Sequence, residues 1–473
     1  MKKFLLVFPL LLLSINLIYA GDGPLVWTQD LTNSGAIFND CIAIHPTNAL
    51  IMYAASNTSG VYKSTNGGVT WATTNTGLTS LTLQAIQISK STPSTLYVGT
   101  STSGVFKSTD DGATWAAFNT GITQSPNAIQ SICIKPNDPN TVIIAVWDGN
   151  AALDASVGLF KTTNGGTLWA PANTGFGPNK NVLTVVSNVL QPNTVYAGTS
   201  FISPGAVQTG PCFVYKSYDF GGTWTNSSTG FGTATTDIDP VRQISMSTLD
   251  TNTYLAGRFF NTTNGGPWLT TNAGASWTQK AGGITVTAPG SLVRSILIKP
   301  GSNTEFYFGG DATTFPPGGV WRTTNGGTTW ADFNGGVLSA TSVVRALNFR
   351  VSDQTLFAGV AGTSGQGVYD YSFGPVGIND PNNGIPKTFS LNQNYPNPFN
   401  PSTVIQYAVP KASLVTIKVY DMTGREIKTL VNDFKNAGTF EINFNASNLA
   451  SGVYFYKIQA GEFRDTKKMM LVK

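Results

Sequence analysis

The sequence predicts an all-β protein, a seven-bladed β-propeller followed by a C-terminal β-sandwich domain of Ig-like type. Three observations support this prediction. The 473 residues include 51 Gly and 25 Pro but only 11% charged residues, which is typical of short strands joined by tight turns. A turn motif recurs six times in the first 330 residues. After residue 373 the repeat stops, and a shorter region with a different spacing of strands begins.

The recurring motif has the form Ser/Thr-x-Asp/Asn-x-Gly-x-x-Trp. Its Asp or Asn can accept hydrogen bonds from its own turn, its Gly supplies a positive φ, and its Trp closes an apolar layer. An aromatic residue nine positions before each Trp lies on the preceding strand, so each copy is predicted to be a hairpin turn. The Asp or Asn residues of the six copies are Asn66, Asp110, Asn164, Asp219, Asn272 and Asn325.

Two further strands precede each hairpin, for example residues 83–89 and 95–99. Four short antiparallel strands per repeat, arranged radially, form a propeller blade. The two ends of the region are predicted to complete a seventh blade. Residues 367–371 begin a hairpin with no motif after it, and residues 25–28 begin the mature chain as an outer strand. Joining these ends closes the ring without free sheet edges and makes Trp27 the seventh Trp of the series.

These six copies resemble the Asp-box (bacterial neuraminidase) repeats of sialidases, some glycosidases, sortilin-type receptors and photosystem assembly factors. The resemblance covers roughly residues 24–373. In that family the boxes are structural turns remote from the ligand face. The resemblance therefore implies the fold and says little about function.

Residues 374–387 are rich in Gly, Pro and Asn and are predicted to be a linker. Residues 388–473 contain six candidate strands, at 402–407, 414–420, 426–431, 438–444, 452–460 and 463–471. This region resembles the type A C-terminal sorting domain of type IX secretion. The residues that carry the match include Tyr395, Pro396, Asn397, Pro398, Phe399, Gly424, Gly452, Tyr454, Lys467 and Lys468.

The N-terminus predicts a cleaved signal peptide at residues 1–20. Lys2 and Lys3 precede an apolar stretch that is too short to span a bilayer. The predicted order is therefore a signal peptide, a propeller at residues 21–373, a linker and a sorting domain. The sorting resemblance implies export through the periplasm of a Gram-negative bacterium, recognition by the type IX machinery, and release or attachment at the cell surface. No membrane span is expected in the mature protein.

Charge and composition argue against several functional classes. Between the leader and Lys387 the chain holds 15 basic and 18 acidic residues, which gives no general attraction for nucleic acid or an anionic membrane. Cys41, Cys133 and Cys212 are expected to be buried apolar residues rather than a disulfide framework. His45 is the only histidine, and no metal site or cofactor is expected.

Unequal repeat lengths indicate where a ligand would bind. The third to sixth repeats carry about ten extra residues each, placed at residues 148–157, 201–212, 259–267 and 311–318. These insertions are predicted to be loops on the face opposite the boxes, and loops on a rigid scaffold often carry binding sites. Trp147, Phe259 and Phe260 are candidates for stacking on sugar rings.

The innermost strands begin on that same face. Their aligned first residues are Asp40, Gln84, Gln130, Leu183, Arg242, Arg294 and Arg345. Three arginines from consecutive blades are thus predicted to converge and to bind a carboxylate or sulfate group. The alternative is that they pair with nearby acids such as Asp239 and Asp311, or remain solvated.

Two functions remain open from the sequence. The preferred one is a non-catalytic binding module for extracellular polysaccharides or proteins. The alternative is a glycoside hydrolase of sialidase-like or polysaccharide-cleaving type. A retaining sialidase needs a tyrosine nucleophile with a glutamate, and the propeller region holds one glutamate, Glu305. An aspartate pair is the other route, with Asp148 and Asp311 as weak candidates. Further aspartates in the region are Asp154, Asp237 and Asp239.

Overall fold

The structure is a computed structural model that describes residues 27–32, 34–122, 128–147, 157–177, 179–200, 212–231, 239–260, 265–284, 291–311, 318–335, 338, 341–361, 365–373, 388–410, 413–435, 438–461 and 463–472. The chain divides into two compact units, Met1–Val376 and Gly377–Lys473. The predicted signal peptide and linker lie outside the described residues. Within the described ranges no helix is long and apolar enough to cross a membrane.

The described part of the first unit is built from short strands. In chain order they are β1 Thr28–Thr32, β2 Ile37–Ile44, β3 Met52–Ser56, β4 Gly60–Ser64, β5 Ala72–Thr73, β6 Leu83–Ile88, β7 Leu96–Thr100, β8 Val105–Ser108, β9 Ala116–Ala117, β10 Ala128–Lys135, β11 Asp138–Trp147, β12 Gly158–Thr162, β13 Ala170–Pro171, β14 Val182–Ser187, β15 Val195–Thr199, β16 Val214–Ser217, β17 Thr225–Asn226, β18 Val241–Met246, β19 Tyr254–Phe260, β20 Gly266–Thr270, β21 Thr278–Gln279, β22 Ser291–Ile298, β23 Phe306–Gly310, β24 Gly319–Thr323, β25 Ala331–Asp332, β26 Val343–Arg350, β27 Thr355–Ala361 and β28 Gly367–Ser372.

These strands form antiparallel groups of four. Five groups are separate sheets, and β18–β21 and β22–β25 join into one eight-stranded sheet through a short pairing of β19 with β22. The first strands of the groups contact one another in the order β2, β6, β10, β14, β18, β22, β26 and back to β2. A closed ring of four-stranded antiparallel sheets is the architecture of a propeller. The all-β prediction is confirmed.

The two ends of the first unit complete one group. β1 pairs with β28, with Thr28 opposite Asp370 and Thr32 opposite Gly367, and the group runs β1-β28-β27-β26. This is the pairing that the unmatched ends of the sequence predicted. It joins strands from the start and the end of the unit, so the ring is closed by hydrogen bonds as well as by packing.

The same local hydrogen bonds build all six boxes. In the second copy the Ser108 hydroxyl donates to Asp110 Oδ1 at 2.7 Å, and the backbone N–H of Gly112 donates to Ser108 Oγ at 2.9 Å. Asp110 Oδ1 also accepts from the N–H of Thr114 at 2.9 Å. The other five copies repeat these three bonds. The motif therefore specifies its own turn.

The Trp residues join neighbouring groups. The Trp169 indole N–H donates to the carbonyl of Phe118, at the end of the preceding group, at 2.8 Å. Trp27 makes the equivalent bond to Phe333 at 2.7 Å, across the junction of the chain ends. The same bond is made by Trp115, Trp224, Trp277 and Trp330. Each of these Trp residues is both a buried apolar side chain and a hydrogen bond between consecutive groups.

The second unit consists of two antiparallel sheets around one core. Its strands are β29 Ser390–Leu391, β30 Ser402–Val409, β31 Ser413–Tyr420, β32 Glu426–Lys435, β33 Gly438–Asn445, β34 Gly452–Ala460 and β35 Phe463–Leu471. One sheet has the order β29-β30-β33 and the other β32-β31-β34-β35. The core contains Ile405 and Tyr407 from the first sheet and Ile417 and Ile458 from the second. All six predicted strands are present, and the Ig-like classification stays a prediction.

Candidate anion-binding site

The candidate site lies where the first strands of the groups begin. Six of these strands carry a β-bulge, at which one residue is skipped in the pairing with the second strand. The skipped residues are Gln84, Gln130, Leu183, Arg242, Arg294 and Arg345. In β2 the irregularity is wider, from Ile37 to Ile42, and includes Asp40. The sequence placed these positions at the strand starts, but the strands begin one to three residues earlier.

A bulge leaves its residue unpaired and turns the side chain away from the regular alternation of the strand. Repeating the bulge in neighbouring groups therefore presents the skipped side chains at one end of the ring. In each group the second strand ends where the first strand begins. In the third group, for example, Trp147 at the end of β11 lies opposite Ala128 at the start of β10. The boxes lie at the other end. Gly165 of the third box, for example, donates its N–H to the carbonyl of Asn140, near the start of β11.

Arg242, Arg294 and Arg345 occupy the bulges of β18, β22 and β26, which are consecutive in the ring. Burial, followed by the positive charges of Arg294 and Arg345, lowers the pKa of Arg242 to about 9. Burial and the charge of Arg294 also lower the pKa of Arg345. Burial and like charge disfavour the charged forms of Arg242 and Arg345, so a bound anion would stabilise the cluster.

One carboxylate offsets part of this charge. Asp311, which follows β23 and is 7% exposed, accepts two hydrogen bonds from Arg294, at 2.8 Å from Nε and 2.5 Å from Nη2. The Arg345 guanidinium instead lies over the ring of Phe38, 4.7 Å from the ring centroid. Of the two alternatives that the sequence left open for Arg294, pairing with Asp311 is therefore the one that the structure shows.

The sequence did not indicate the role of Asp40. Its carboxylate accepts from Gln243 Nε2 at 2.8 Å and from Ser131 Oγ at 3.2 Å. β2, β10 and β18 are not neighbours in the ring, so these bonds cross its centre. Burial raises the pKa of Asp40, whereas the two hydrogen bonds lower it. Asp40 therefore links three groups through the interior of the ring.

Arg258 was also missed by the sequence. It is fully buried on β19, the strand that follows β18 and its Arg242. Its guanidinium lies 4.6 Å from the ring centroid of Phe231 and 5.7 Å from that of Trp268. It donates to the carbonyl of Asp239 at 3.1 Å. The sequence around Arg258 does not indicate that its guanidinium lies between aromatic rings, because Phe231 and Trp268 come from other segments of the chain.

Several predicted site residues cannot be placed. Asp148, Asp154 and Asp237 lie outside the described residues, as do most of the four predicted loops. Trp147 ends β11, and its indole N–H has no hydrogen-bond acceptor among the described residues.

The predicted loop at residues 259–267 is wrong at both ends. Phe259 and Phe260 extend β19 and pair with Leu292 and Ser291 of β22, and β20 begins at Gly266. Phe259 and Phe260 lengthen a strand because β22 of the next group supplies their pairing partners. The length of a repeat alone does not reveal this pairing.

Glu305 lies near the box end of its group, away from the arginines. It forms ion pairs with Lys299 at 3.0 Å and with Arg322 at 2.6 Å, and Tyr307 donates to it at 2.5 Å. A tyrosine beside a glutamate is the pair that a sialidase requires. Here, however, Tyr307 is fully buried, and burial together with Glu305 raises its pKa, which disfavours the phenolate of a nucleophile.

Cys41, Cys133 and Cys212 are buried and free of disulfides. Within the ranges that the structure describes, no three His, Cys, Asp or Glu side chains come together as a metal site.

Two family models match parts of the chain. A secretion system C-terminal sorting domain model matches residues 393–473, and a sortilin (neurotensin receptor 3) model matches residues 59–179. No curated protein has a significantly similar sequence. The chain thus carries a type IX sorting domain, and residues 59–179 of its Asp-box propeller region are similar to the sortilin type. The sorting domain indicates export to the cell surface or extracellular space of a Gram-negative bacterium of the Bacteroidetes.

Solved structures share the propeller fold at low sequence identity. The GH74 xyloglucanase from Xanthomonas campestris has a TM-score of 0.52 at 14% identity, and the match covers 81% of this chain and 60% of the xyloglucanase. YCF48 from Cyanidioschyzon merolae has a TM-score of 0.51 at 14% identity, covering 73% of this chain and 99% of YCF48. PorZ of Porphyromonas gingivalis, a surface component of the type-IX secretion system, has a TM-score of 0.48 at 15% identity, covering 90% and 58%. At these identities the first two matches show the fold alone.

Proposed function

We propose that this exported propeller is a non-catalytic binding module whose arginine cluster receives a carboxylate or sulfate group of an extracellular polysaccharide. The observation that carries this proposal is the group of Arg242, Arg294 and Arg345 at equivalent bulges of three strands that are consecutive in the ring, with Asp311 bonded to Arg294. Guanidinium groups bind planar or tetrahedral oxyanions through paired, charge-assisted hydrogen bonds. Three of them at the end of a rigid ring supply affinity without requiring a reacting group.

The chemistry of the placed carboxylates supports binding over hydrolysis. Asp311 is held by Arg294 through two N–H groups, and Glu305 is held by Lys299 and Arg322. A carboxylate whose oxygens are already bonded to cations is not free to reach a glycosidic oxygen, so it is poorly placed as a general acid.

Arg345 is the best residue for a test. It stacks on Phe38 and forms no ion pair with the described residues. Its removal therefore leaves no described carboxylate buried without a cation. Binding of polygalacturonate, chondroitin sulfate and neutral xyloglucan is measured by calorimetry for the unmodified chain and for Arg345→Ala and Arg345→Lys. The alanine variant is expected to lose about 10-fold or more in affinity for the anionic polymers, the scale of one charge-assisted hydrogen bond. Arg322→Ala, at the box end of the ring, is the matched control.

The same mixtures are assayed for new reducing ends. Binding that weakens with salt and with Arg345→Ala, without new reducing ends, supports the proposal. Equal affinity of Arg345→Ala and the unmodified chain would refute the assigned site. Release of reducing ends that disappears in Asp148→Ala or Asp311→Ala would replace the binding function with hydrolysis.

A further inference from the structure

The matched sorting motif is engaged in holding the second unit together. Asn397 Oδ1 accepts from the N–H of Met470 at 2.9 Å. Phe399 exchanges backbone bonds with the last strand, donating to Met470 at 2.9 Å and accepting from Val472 at 3.0 Å. Phe399 itself is 2% exposed. The motif therefore covers the C-terminal part of the edge of β35, where Asn397 and the buried Phe399 hold it, while Tyr395 is 81% exposed.

A second surface of this unit, which includes Lys468 of the matched residues, is the outer face of one of its two sheets. Along β34 and β35 the side chains alternate, with Tyr456, Ile458 and Met469 in the core. The intervening residues point to the outer face of the sheet β32-β31-β34-β35. Four cations lie on this outer face, and they are Lys418, Lys457, Arg464 and Lys468. We call these residues and the apolar side chains between them the basic face.

Cross-strand register places these cations unfavourably for the isolated domain. Lys418 of β31 lies directly opposite Lys457 of β34. Directly opposed like charges destabilise an antiparallel pair. Lys418 is compensated by Glu426, 2.8 Å away. Lys457, Arg464 and Lys468 form no ion pair with any residue that the structure describes. The repulsion between Lys418 and Lys457 therefore costs stability, and the ion pair with Glu426 compensates the Lys418 side alone.

Apolar side chains lie among the cations. Tyr420, Phe455 and Lys468 are consecutive neighbours across the three strands β31, β34 and β35. Met470, beyond Lys468 on β35, is 40% exposed. Aromatic and methionine side chains at a surface are typical of protein interfaces, whereas a solvated sheet face is usually polar throughout.

From these observations we infer that the basic face docks onto an acidic surface of a protein partner during export. The positive charges attract the partner and orient it, and the aromatic and methionine side chains are desolvated on contact. An anionic lipid headgroup would satisfy the cations as well. A protein is the better fit, because these apolar side chains lie flush with a broad sheet instead of projecting from a loop or helix. The inference does not depend on the ligand of the arginine cluster.

The test uses the full chain with its own leader in a bacterium that has type IX secretion. Lys457→Glu, Arg464→Glu and Lys468→Glu are combined, and the exported and periplasmic fractions are quantified by immunoblot. We expect the exported fraction to fall at least 10-fold. A conservative triple, Lys457→Arg, Arg464→Lys and Lys468→Arg, is expected to be exported normally.

A second triple reversal, Arg425→Glu, Lys428→Glu and Lys435→Glu, changes the same charge on and beside the edge strand β32 and serves as the matched control. The single variant Lys457→Glu separates recognition from folding. It places a carboxylate opposite Lys418, so its thermal midpoint is expected to equal or exceed that of the unmodified chain while export decreases.

Three results would overturn the inference. The first is normal export of the basic-face triple reversal. The second is an equal loss of export in the matched control, which would indicate a general effect of charge. The third is that the purified chain binds vesicles containing phosphatidylglycerol and the basic-face triple does not, because the face would then recognise a membrane.

Discussion

Asp30 and Asp370 form a pair of buried acids where the chain ends meet. Asp30 lies on β1 and Asp370 on β28, and Oδ2 of each is buried without a hydrogen-bond donor among the described residues. Burial, followed by the charge of Asp370, raises the pKa of Asp30 to about 9. Burial also raises the pKa of Asp370, although Thr28 donates a hydrogen bond to it.

The sign of the effect on stability follows from this shift. Between an unfolded pKa near 3.8 and a folded pKa near 9, the folded chain holds a proton on Asp30 that the unfolded chain releases. Unfolding therefore becomes easier as the pH rises through this window. Each pH unit contributes about 1.4 kcal/mol, so the three units from pH 5 to pH 8 correspond to an upper limit of about 4 kcal/mol.

Asp30→Asn removes this titration while it keeps the size of the side chain and adds an N–H donor for Asp370. We expect the variant to be more stable than the unmodified chain at pH 8, and the advantage to shrink by at least 1 kcal/mol, up to the limit above, at pH 5. Urea unfolding at both pH values, followed by tryptophan fluorescence, measures the difference. All ten Trp residues precede residue 331, so the signal reports on the propeller unit.

The matched control is Asp332→Asn, at an exposed aspartate of β25. It is expected to leave the pH dependence unchanged. His45 is present in every variant and cancels from the comparison. The reasoning is refuted if Asp30→Asn shows the same change in stability between pH 5 and pH 8 as the unmodified chain, or if it is the less stable of the two at pH 8.

Two further predictions concern the joints between groups. Gly77 and Gly301 both have positive φ, 91° and 80°, but a Cβ at Gly77 would lie 2.0 Å from the carbonyl oxygen of Trp115, whereas nothing lies within 4 Å of one at Gly301. Gly301→Ala should therefore lower the free energy of unfolding by about 1 kcal/mol, and Gly77→Ala should lower it several times more, as measured by urea unfolding. Equal losses in the two variants would contradict the steric argument. Trp169→Phe removes the donor to the Phe118 carbonyl and leaves that carbonyl without its partner. The free energy of unfolding, measured by thermal unfolding, should fall by about 2 kcal/mol or more. An unchanged midpoint would show that this bond between groups is unimportant.

Much of the fold was predictable because its signals are local. Asn66 or Asp110 forms its box with residues no more than four positions away, so the motif can be read directly from the sequence. The same holds for the strands of the second unit, whose alternation is visible in residues 452–460 and 463–471. The pairing of β1 with β28 was predictable for a different reason: each end lacked the partner that every other repeat contains.

The candidate site was predictable only in part. The repeat alignment placed Arg242, Arg294 and Arg345 at equivalent positions, and the structure shows that these positions are bulges. Alignment could not show which arginine is paired. Arg294 meets Asp311 because a second strand brings the two together, whereas Arg345 meets Phe38 because the ring closes.

By itself the sequence determined the repeat, the boxes and the sorting motif, since each depends on neighbours along the chain or on a pattern that recurs at regular spacing. Only the tertiary structure decided how buried charge is arranged: Asp40 across the centre of the ring, Arg258 between two aromatic rings, and Asp30 beside Asp370. The physical reason is that a side chain's charge and pairing depend on desolvation and on groups far away in the sequence, which no local pattern records.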